Sequence, residues 1–160
     1  KGYYNNPDAT REALENGWLH TGDLGYIDDD GFLYIQGRKK AVIVTPAGKK
    51  IYPEEVEAEI LKSLYVLECV VWGQTSNNPG AEVSIVAIAV PNFEHFENQG
   101  MNAGDREFIE KMVRKEVKDR CRKLASFKRV TNLIIQHEEL EKTTTKKIKR
   151  YLYTGNSRRN

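Results

Sequence analysis

The densest reactive cluster in the sequence is a basic stretch near its end, Glu141-Lys142-Thr143-Thr144-Thr145-Lys146-Lys147-Ile148-Lys149-Arg150. Five cations within ten residues suit an anion, and read alone they form a patch for nucleic acid or an acidic membrane surface. No RNA- or DNA-binding motif accompanies them. A second candidate is Asp23, in Thr21-Gly22-Asp23. As a bare residue it reads as a turn aspartate, yet a carboxylate has the lone pairs to accept hydrogen bonds from two hydroxyls at once. A third is Gly37-Arg38-Lys39-Lys40. The Arg38 guanidinium is always charged and presents its donors in a fixed fork, whereas a lysine among lysines such as Lys40 is ordinarily solvated. Gly48, in Thr45-Pro46-Ala47-Gly48, needs no Cβ if its loop approaches a ligand or turns through positive φ. His20, His95 and His137 are scattered without metal-ligand spacing, so no metal site is expected. Cys69 and Cys121 each fall in an apolar pattern and read as buried, reduced thiols, which fits a cytoplasmic setting.

The elements that must position these residues follow from pattern. A short helix is expected over 9–14, ended by Asn16-Gly17, with a strand at Trp18-Leu19-His20. Asp30-Gly31 is a hairpin tip between the runs 24–27 and 32–35. The apolar run 41–44 predicts a strand, followed by a turn and a second short segment at 49–52. Pro53 starts a helix, with Glu54, Glu55 and Glu57 in its first turn and a stripe of Val56, Ile60 and Leu64. A strand over 67–73, a polar loop over 74–80 and a central strand over 82–90 follow, the last apolar on both faces. Residues 92–104 read as a mobile loop. Asp105 caps a helix over 106–124 with Phe108, Ile109, Met112, Val113, Val117, Cys121 and Leu124 on its apolar stripe. Short strands are expected at 127–130 and 133–135, and a disordered tail over 154–160.

The chain is long enough for one domain with a proper core or for one domain plus a fragment, and 30% of its residues are charged. No apolar run approaches the roughly 20 residues that cross a bilayer. The net charge of +2 hides a strong polarity. Residues 51–110 carry 11 acidic against 2 basic groups, and residues 111–150 carry 14 basic against 5 acidic. The basic third is therefore the part expected to handle an anion, with peripheral membrane contact as an alternative.

The motifs together are dense enough to carry a family resemblance. Gly37, Arg38, Lys40, the strand 41–44, Gly48, Ile51, Pro53, Glu55, Val56 and Glu57 resemble the segment that joins the two domains of adenylate-forming enzymes: acyl-CoA synthetases, luciferases and the adenylation domains of peptide synthetases. Upstream, Gly17-Trp18, Thr21-Gly22-Asp23 and Asp30-Gly31-Phe32 resemble the end of that family's large N-terminal domain. Downstream, residues 141–150 resemble its terminal Pro-Lys-Thr-x-x-Gly-Lys-Ile-x-Arg, with Glu141 in place of Pro and Lys146 in place of Gly.

The resemblance implies an α+β C-terminal domain over 41–153, a short mixed sheet flanked by helices. A hinge at 37–40 and a hairpin-bearing remnant of the large domain over 1–36 precede it. It implies that Asp23 binds the ATP ribose, with Arg38 at the ribose or phosphate edge. Lys147 is the catalytic lysine that bridges the carboxylate and the α-phosphate, Lys40 is the hinge, and the Gly48 loop serves the coenzyme A step. The substrates implied are Mg2+·ATP, a carboxylic acid and coenzyme A, none held tightly by this chain. Gly-Arg-Lys-Lys and Lys146 lean toward a long-chain fatty acid. The rival within the family is an adenylation domain that loads a carrier protein. The large domain is the partner expected in cis. Without its phosphate loop and acyl pocket the fragment is expected to be inactive, and the apolar residues of 1–36 to favour self-association. No nucleic-acid partner is expected.

Overall fold

The computed structural model describes residues 2–75 and 82–154. The chain divides into two compact units, Lys1–Val42 and Ile43–Asn160.

In the first unit, helix α1 (Pro7–Ala13) starts earlier than expected, because Asn6 caps it by accepting from the Ala9 N–H and Pro7 occupies its first turn. Strands β1 (Leu14–Glu15) and β2 (Trp18–Leu19) pair around Asn16-Gly17, both at positive φ, the hallmark of a tight hairpin. The hairpin expected further on is β3 (Asp23–Ile27) against β4 (Leu33–Arg38). Its tip is held by Asp28, whose carboxylate accepts from the N–H groups of Asp30 and Phe32. Trp18, Leu19, Phe32 and Ile35 are exposed.

The second unit holds the core. Strands β5 (Ile43–Val44) and β6 (Lys50–Ile51) lead into α2 (Pro53–Ile60). Strands β7 (Val66–Gln74) and β8 (Ser84–Pro91) are antiparallel, β9 (Asn132–Ile135) lies parallel to β8, and the order β7-β8-β9 makes a mixed sheet with β8 central. Side chains alternate across β8. Ile85, Ala87 and Ala89 join Ile51, Val56, Ile60, Phe96, Ile109, Val113 and Val117 in a cluster under α2 and α4 (Arg106–Cys121). Ile88 and Val90 face the other way, into a cluster with Val70 and Leu140 that Trp72, Ile148 and Tyr153 help to cover. The central strand is therefore apolar on both faces because both are covered. Asp105 caps α4 by accepting from the Phe108 N–H, as its position implied.

Several sequence expectations are corrected. Residues 41–44 do not form one strand: residues Lys39–Ala41 make a 3-10 turn, and only Ile43 and Val44 pair with β6. Helix α2 ends at Ile60, so Leu64 leaves the stripe and is 67% exposed. Residues 92–104 are not all loop. Helix α3 (Phe93–Asn98) is capped by the Asn92 side chain and buries Phe96 completely. Helix α4 stops at Cys121, and Phe108 at its start is half-exposed. Residues Ser126–Lys128 form a 3-10 turn where a strand was expected. The expectations for residues 76–80 and 155–160 lie outside the described residues. Cys69 and Cys121 are free and buried, and burial pushes both thiols up, away from thiolate chemistry. Among the described residues no helix is long and apolar enough to cross a membrane.

Candidate functional site

Asp23 and Arg38, 15 residues apart, are directly opposed in the β3–β4 register, and Arg38 Nε lies 2.9 Å from Asp23 Oδ1. A second arm of the fork, Nη1, donates to the Thr21 carbonyl at 2.9 Å, while the Thr21 hydroxyl accepts from the Asp23 N–H. Gly22, at φ 76°, turns the chain between them and accepts at its carbonyl from the Lys39 N–H. The pair is therefore locked by backbone as well as by charge. One carboxylate oxygen is engaged, and Oδ2 has no protein partner among the described residues, which suits a ligand with hydroxyl donors.

Lys40 sits in the 3-10 turn Lys39–Ala41, exposed, two residues before the boundary between the units. Gly48 closes the β5–β6 turn: its N–H donates to the Thr45 carbonyl, and its φ is 74°. A Cβ there would touch nothing within 4 Å. The backbone conformation, not crowding by the protein, is what demands glycine.

The basic stretch folds into a small hairpin. Lys142 bridges Ile148, the Thr143 N–H donates to the Lys147 carbonyl, and the Thr143 hydroxyl accepts from the Lys147 N–H at 3.2 Å. Ile148 turns inward to the apolar cluster, so by alternation Lys147 turns outward, and it is exposed. Three of the five cations are held by carboxylates. Lys142 pairs with Glu68 and Glu139, Lys149 with Glu141, and Arg150 with Glu57. Hydrogen bonds from Glu139 and Glu68 push the Lys142 ammonium up to about 12, and Glu141 raises that of Lys149. Lys146 and Lys147 have no acidic partner among the described residues, so they are the two cations of the motif that the protein leaves without a counter-charge.

Of the two departures from the family pattern, Glu141 acquires a physical reason, whereas Lys146 stands where the pattern's glycine is the favoured residue. The Glu141 N–H donates to the Tyr153 hydroxyl at 2.7 Å, a bond that proline has no donor to make. Lys146 sits at φ 59°, the left-handed conformation that glycine adopts freely and other residues adopt at a cost of about 1–2 kcal/mol. Replacing Lys146 with glycine is therefore expected to raise stability by up to about 1 kcal/mol, the remainder being lost to glycine's extra chain entropy. Urea unfolding of the variant would measure this, and a fall in midpoint would show the turn to be unstrained.

The sequence reading missed the groups that hold this hairpin in place. Glu57 was assigned to the helix start and to the hinge motif, with no partner, and Glu68 was assigned nothing. Both are more than nine-tenths buried. The available signal was Glu68 itself, a charge inside the run Val66-Leu67-Glu68-Cys69-Val70. Among the described residues no cluster of His, Cys, Asp or Glu could hold a metal ion.

Residues 55–147 match the AMP-binding enzyme C-terminal domain family, more than half of the chain. The chain belongs to that family. A 2-succinylbenzoate–CoA ligase of Bacillus cereus (strain AH820) is 48% identical over 79 residues, which are 49% of this chain and 16% of that protein. The o-succinylbenzoate coenzyme A synthetase of Bacillus subtilis, solved with ATP and magnesium ion, superposes with a TM-score of 0.67 at 29% identity, over 92% of this chain and 26% of that one. A Mycobacterium tuberculosis fatty acyl CoA synthetase gives a TM-score of 0.58 at 30% identity, over 98% and 28%. The chain thus spans about a sixth of the curated relative and about a quarter of the solved enzymes. The small α+β domain with its mixed sheet and flanking helices is the fold these relatives share.

Proposed function

We propose that this chain is the C-terminal part of an acid–thiol ligase. The enzyme joins a carboxylic acid to ATP as an acyl-adenylate with release of pyrophosphate, then passes the acyl group to the thiol of coenzyme A with release of AMP. The observation that carries this reading is the terminal hairpin, which clamps three of its cations internally and leaves Lys147 outward and uncompensated. In adenylation Lys147 stabilises the negative charge that develops between the carboxylate and the α-phosphate. Asp23 accepts hydrogen bonds from the ATP ribose, and Arg38 orients it. Magnesium enters with ATP. The large domain in cis supplies the phosphate loop and the acid pocket.

The long-chain lean loses its footing. Lys146 stands at a left-handed turn position that favours glycine, and Gly-Arg-Lys-Lys leads into the 3-10 turn, so neither feature carries information about the acid. The curated relatives name 2-succinylbenzoate, so an aromatic acid of that kind is the first substrate to try, with long-chain fatty acids second. A nucleic-acid role is disfavoured because seven of the 14 basic groups in residues 111–150 have acidic partners, among them Arg114, Lys115, Arg122 and Lys128.

The test uses the enzyme that carries the large domain with this chain. Acid-dependent pyrophosphate release is measured with 2-succinylbenzoate, fatty acids of several lengths and amino acids, with coenzyme A or a carrier protein as acceptor. Turnover with one acid and coenzyme A is the expected result. Turnover only with a carrier protein supports the rival within the family, and no acid-dependent release refutes the reading.

A further inference from the structure

Two buried carboxylates hold the two arms of the Lys147 hairpin, each pairing with a cation on one arm and accepting from one backbone N–H. On one arm, Glu68 of β7 accepts from the Leu140 N–H through Oε2 at 2.7 Å and pairs through Oε1 with Lys142. On the other, Glu57 of α2 accepts from the Val71 N–H through Oε1 at 2.6 Å and pairs through Oε2 with Arg150. Arg150 also reaches the Val71 carbonyl at 3.5 Å. Strand β7 is an edge strand, so Glu57 and Arg150 together occupy the outward N–H and C=O of one of its residues. Lys142 and Arg150 bracket the turn, and Lys147 lies between them. Neither carboxylate is paired with Lys147 itself.

The arrangement is an expensive way to fasten a loop. A buried ion pair can usually be replaced by apolar side chains without loss of stability, because desolvation offsets the attraction between the charges. Burial keeps the Glu57 carboxyl above its ordinary range even beside Arg150. The Val70, Ile88, Val90 and Leu140 cluster already supplies apolar adhesion for Ile148 and Tyr153 on that face. What apolar packing does not supply is a fixed register, and paired charges with backbone hydrogen bonds do. We propose that Glu68 and Glu57 are positioning residues for Lys147, holding its hairpin at one place on the sheet through Lys142 and Arg150. This rests on the reading of Lys147 as the adenylation lysine.

Glu68→Gln keeps an acceptor for the Leu140 N–H and removes the buried one of the two charges that Lys142 pairs with, leaving the exposed Glu139. In the enzyme that carries the large domain, acyl-adenylate formation is compared in wild type, Glu68→Gln, Lys147→Ala and the double variant. Glu68→Gln is expected to slow adenylation roughly 10- to 100-fold, the scale of an ångström-sized misplacement. The thioester step from supplied acyl-adenylate should keep its rate. In the Lys147→Ala background, Glu68→Gln should slow adenylation no further, since there is no ammonium left to misplace. A merely structural carboxylate would act alike in both backgrounds. Wild-type adenylation in Glu68→Gln, or losses that multiply in the double variant, overturns the proposal. Amide hydrogen exchange gives a second readout free of catalysis: the N–H groups of Lys147 and Lys149 should exchange at least roughly ten-fold faster in Glu68→Gln while those of β8 keep their protection. Unchanged exchange at Lys147 overturns positioning, whereas wild-type adenylation in Lys147→Ala with faster exchange in Glu68→Gln refutes the reading of Lys147 and leaves the clamp standing. Should Glu68→Gln fail to fold, Lys142→Gln, at a partly exposed position, carries the same expectations and the same refutations.

Discussion

Lys147→Ala is expected to slow acyl-adenylate formation by roughly 10²- to 10³-fold, the scale seen when one stabilising donor is removed from a developing charge. Thioester formation from supplied acyl-adenylate should stay near the wild-type rate. The selectivity follows from differential stabilisation: only the step whose transition state touches the ammonium loses by its removal. The structure makes the experiment clean. The Lys147 side chain is exposed, and the bonds that shape the turn run through its backbone N–H and carbonyl, which alanine retains. Neither hydrophobic cluster includes it. Equal losses in both half-reactions would assign Lys147 to structure instead. Wild-type adenylation would remove it from the chemistry.

How much of this could be read from the sequence depended on how local the determinant was. The Asp105 cap and Pro53 at the helix start are signals carried by a few adjacent residues, and both were legible. The β8 strand was legible because burial on both faces leaves an unbroken apolar run. The motif order implied that Asp23 and Arg38 serve one site, and the β3–β4 register brings them together. The misses are tertiary. Leu64 has helical spacing, but the chain leaves the helix at Ile60, so the spacing describes a turn that is not made. Phe93 and Phe96 signalled no stripe in six residues, yet Phe96 is completely buried and the Asn92 cap ends the ambiguity. Glu57 and Glu68 acquire their meaning from Arg150 and Lys142, which lie 93 and 74 residues further along the chain. No local pattern encodes such a pairing.

Lys40→Pro is expected to separate the two half-reactions, sparing adenylation and lowering thioester formation by roughly 100-fold or more, the penalty of a misplaced catalytic group. On the proposed reading, Lys147 and the Gly48 loop serve one active site at different times. The second unit carries them on opposite sides of its sheet. Ile43 and Ile51, which flank the Gly48 turn, belong to the cluster under the helices, whereas Ile148 belongs to the cluster on the other face. A single body with its two working parts on opposite faces must turn to use both, and a few backbone dihedrals between the units can absorb that turn. Lys40 is placed to do so: it lies in a 3-10 turn just before the unit boundary and belongs to neither cluster. Proline at this position fixes φ near −65° and disfavours the helical conformation at Lys39, so the segment is confined to one course. The fold should survive, because β5 and the core begin after it. Both half-reactions would be measured separately, with circular dichroism to confirm folding. Wild-type rates in both would mean that Lys40 is not the pivot, and the search would move to the rest of residues 36–41.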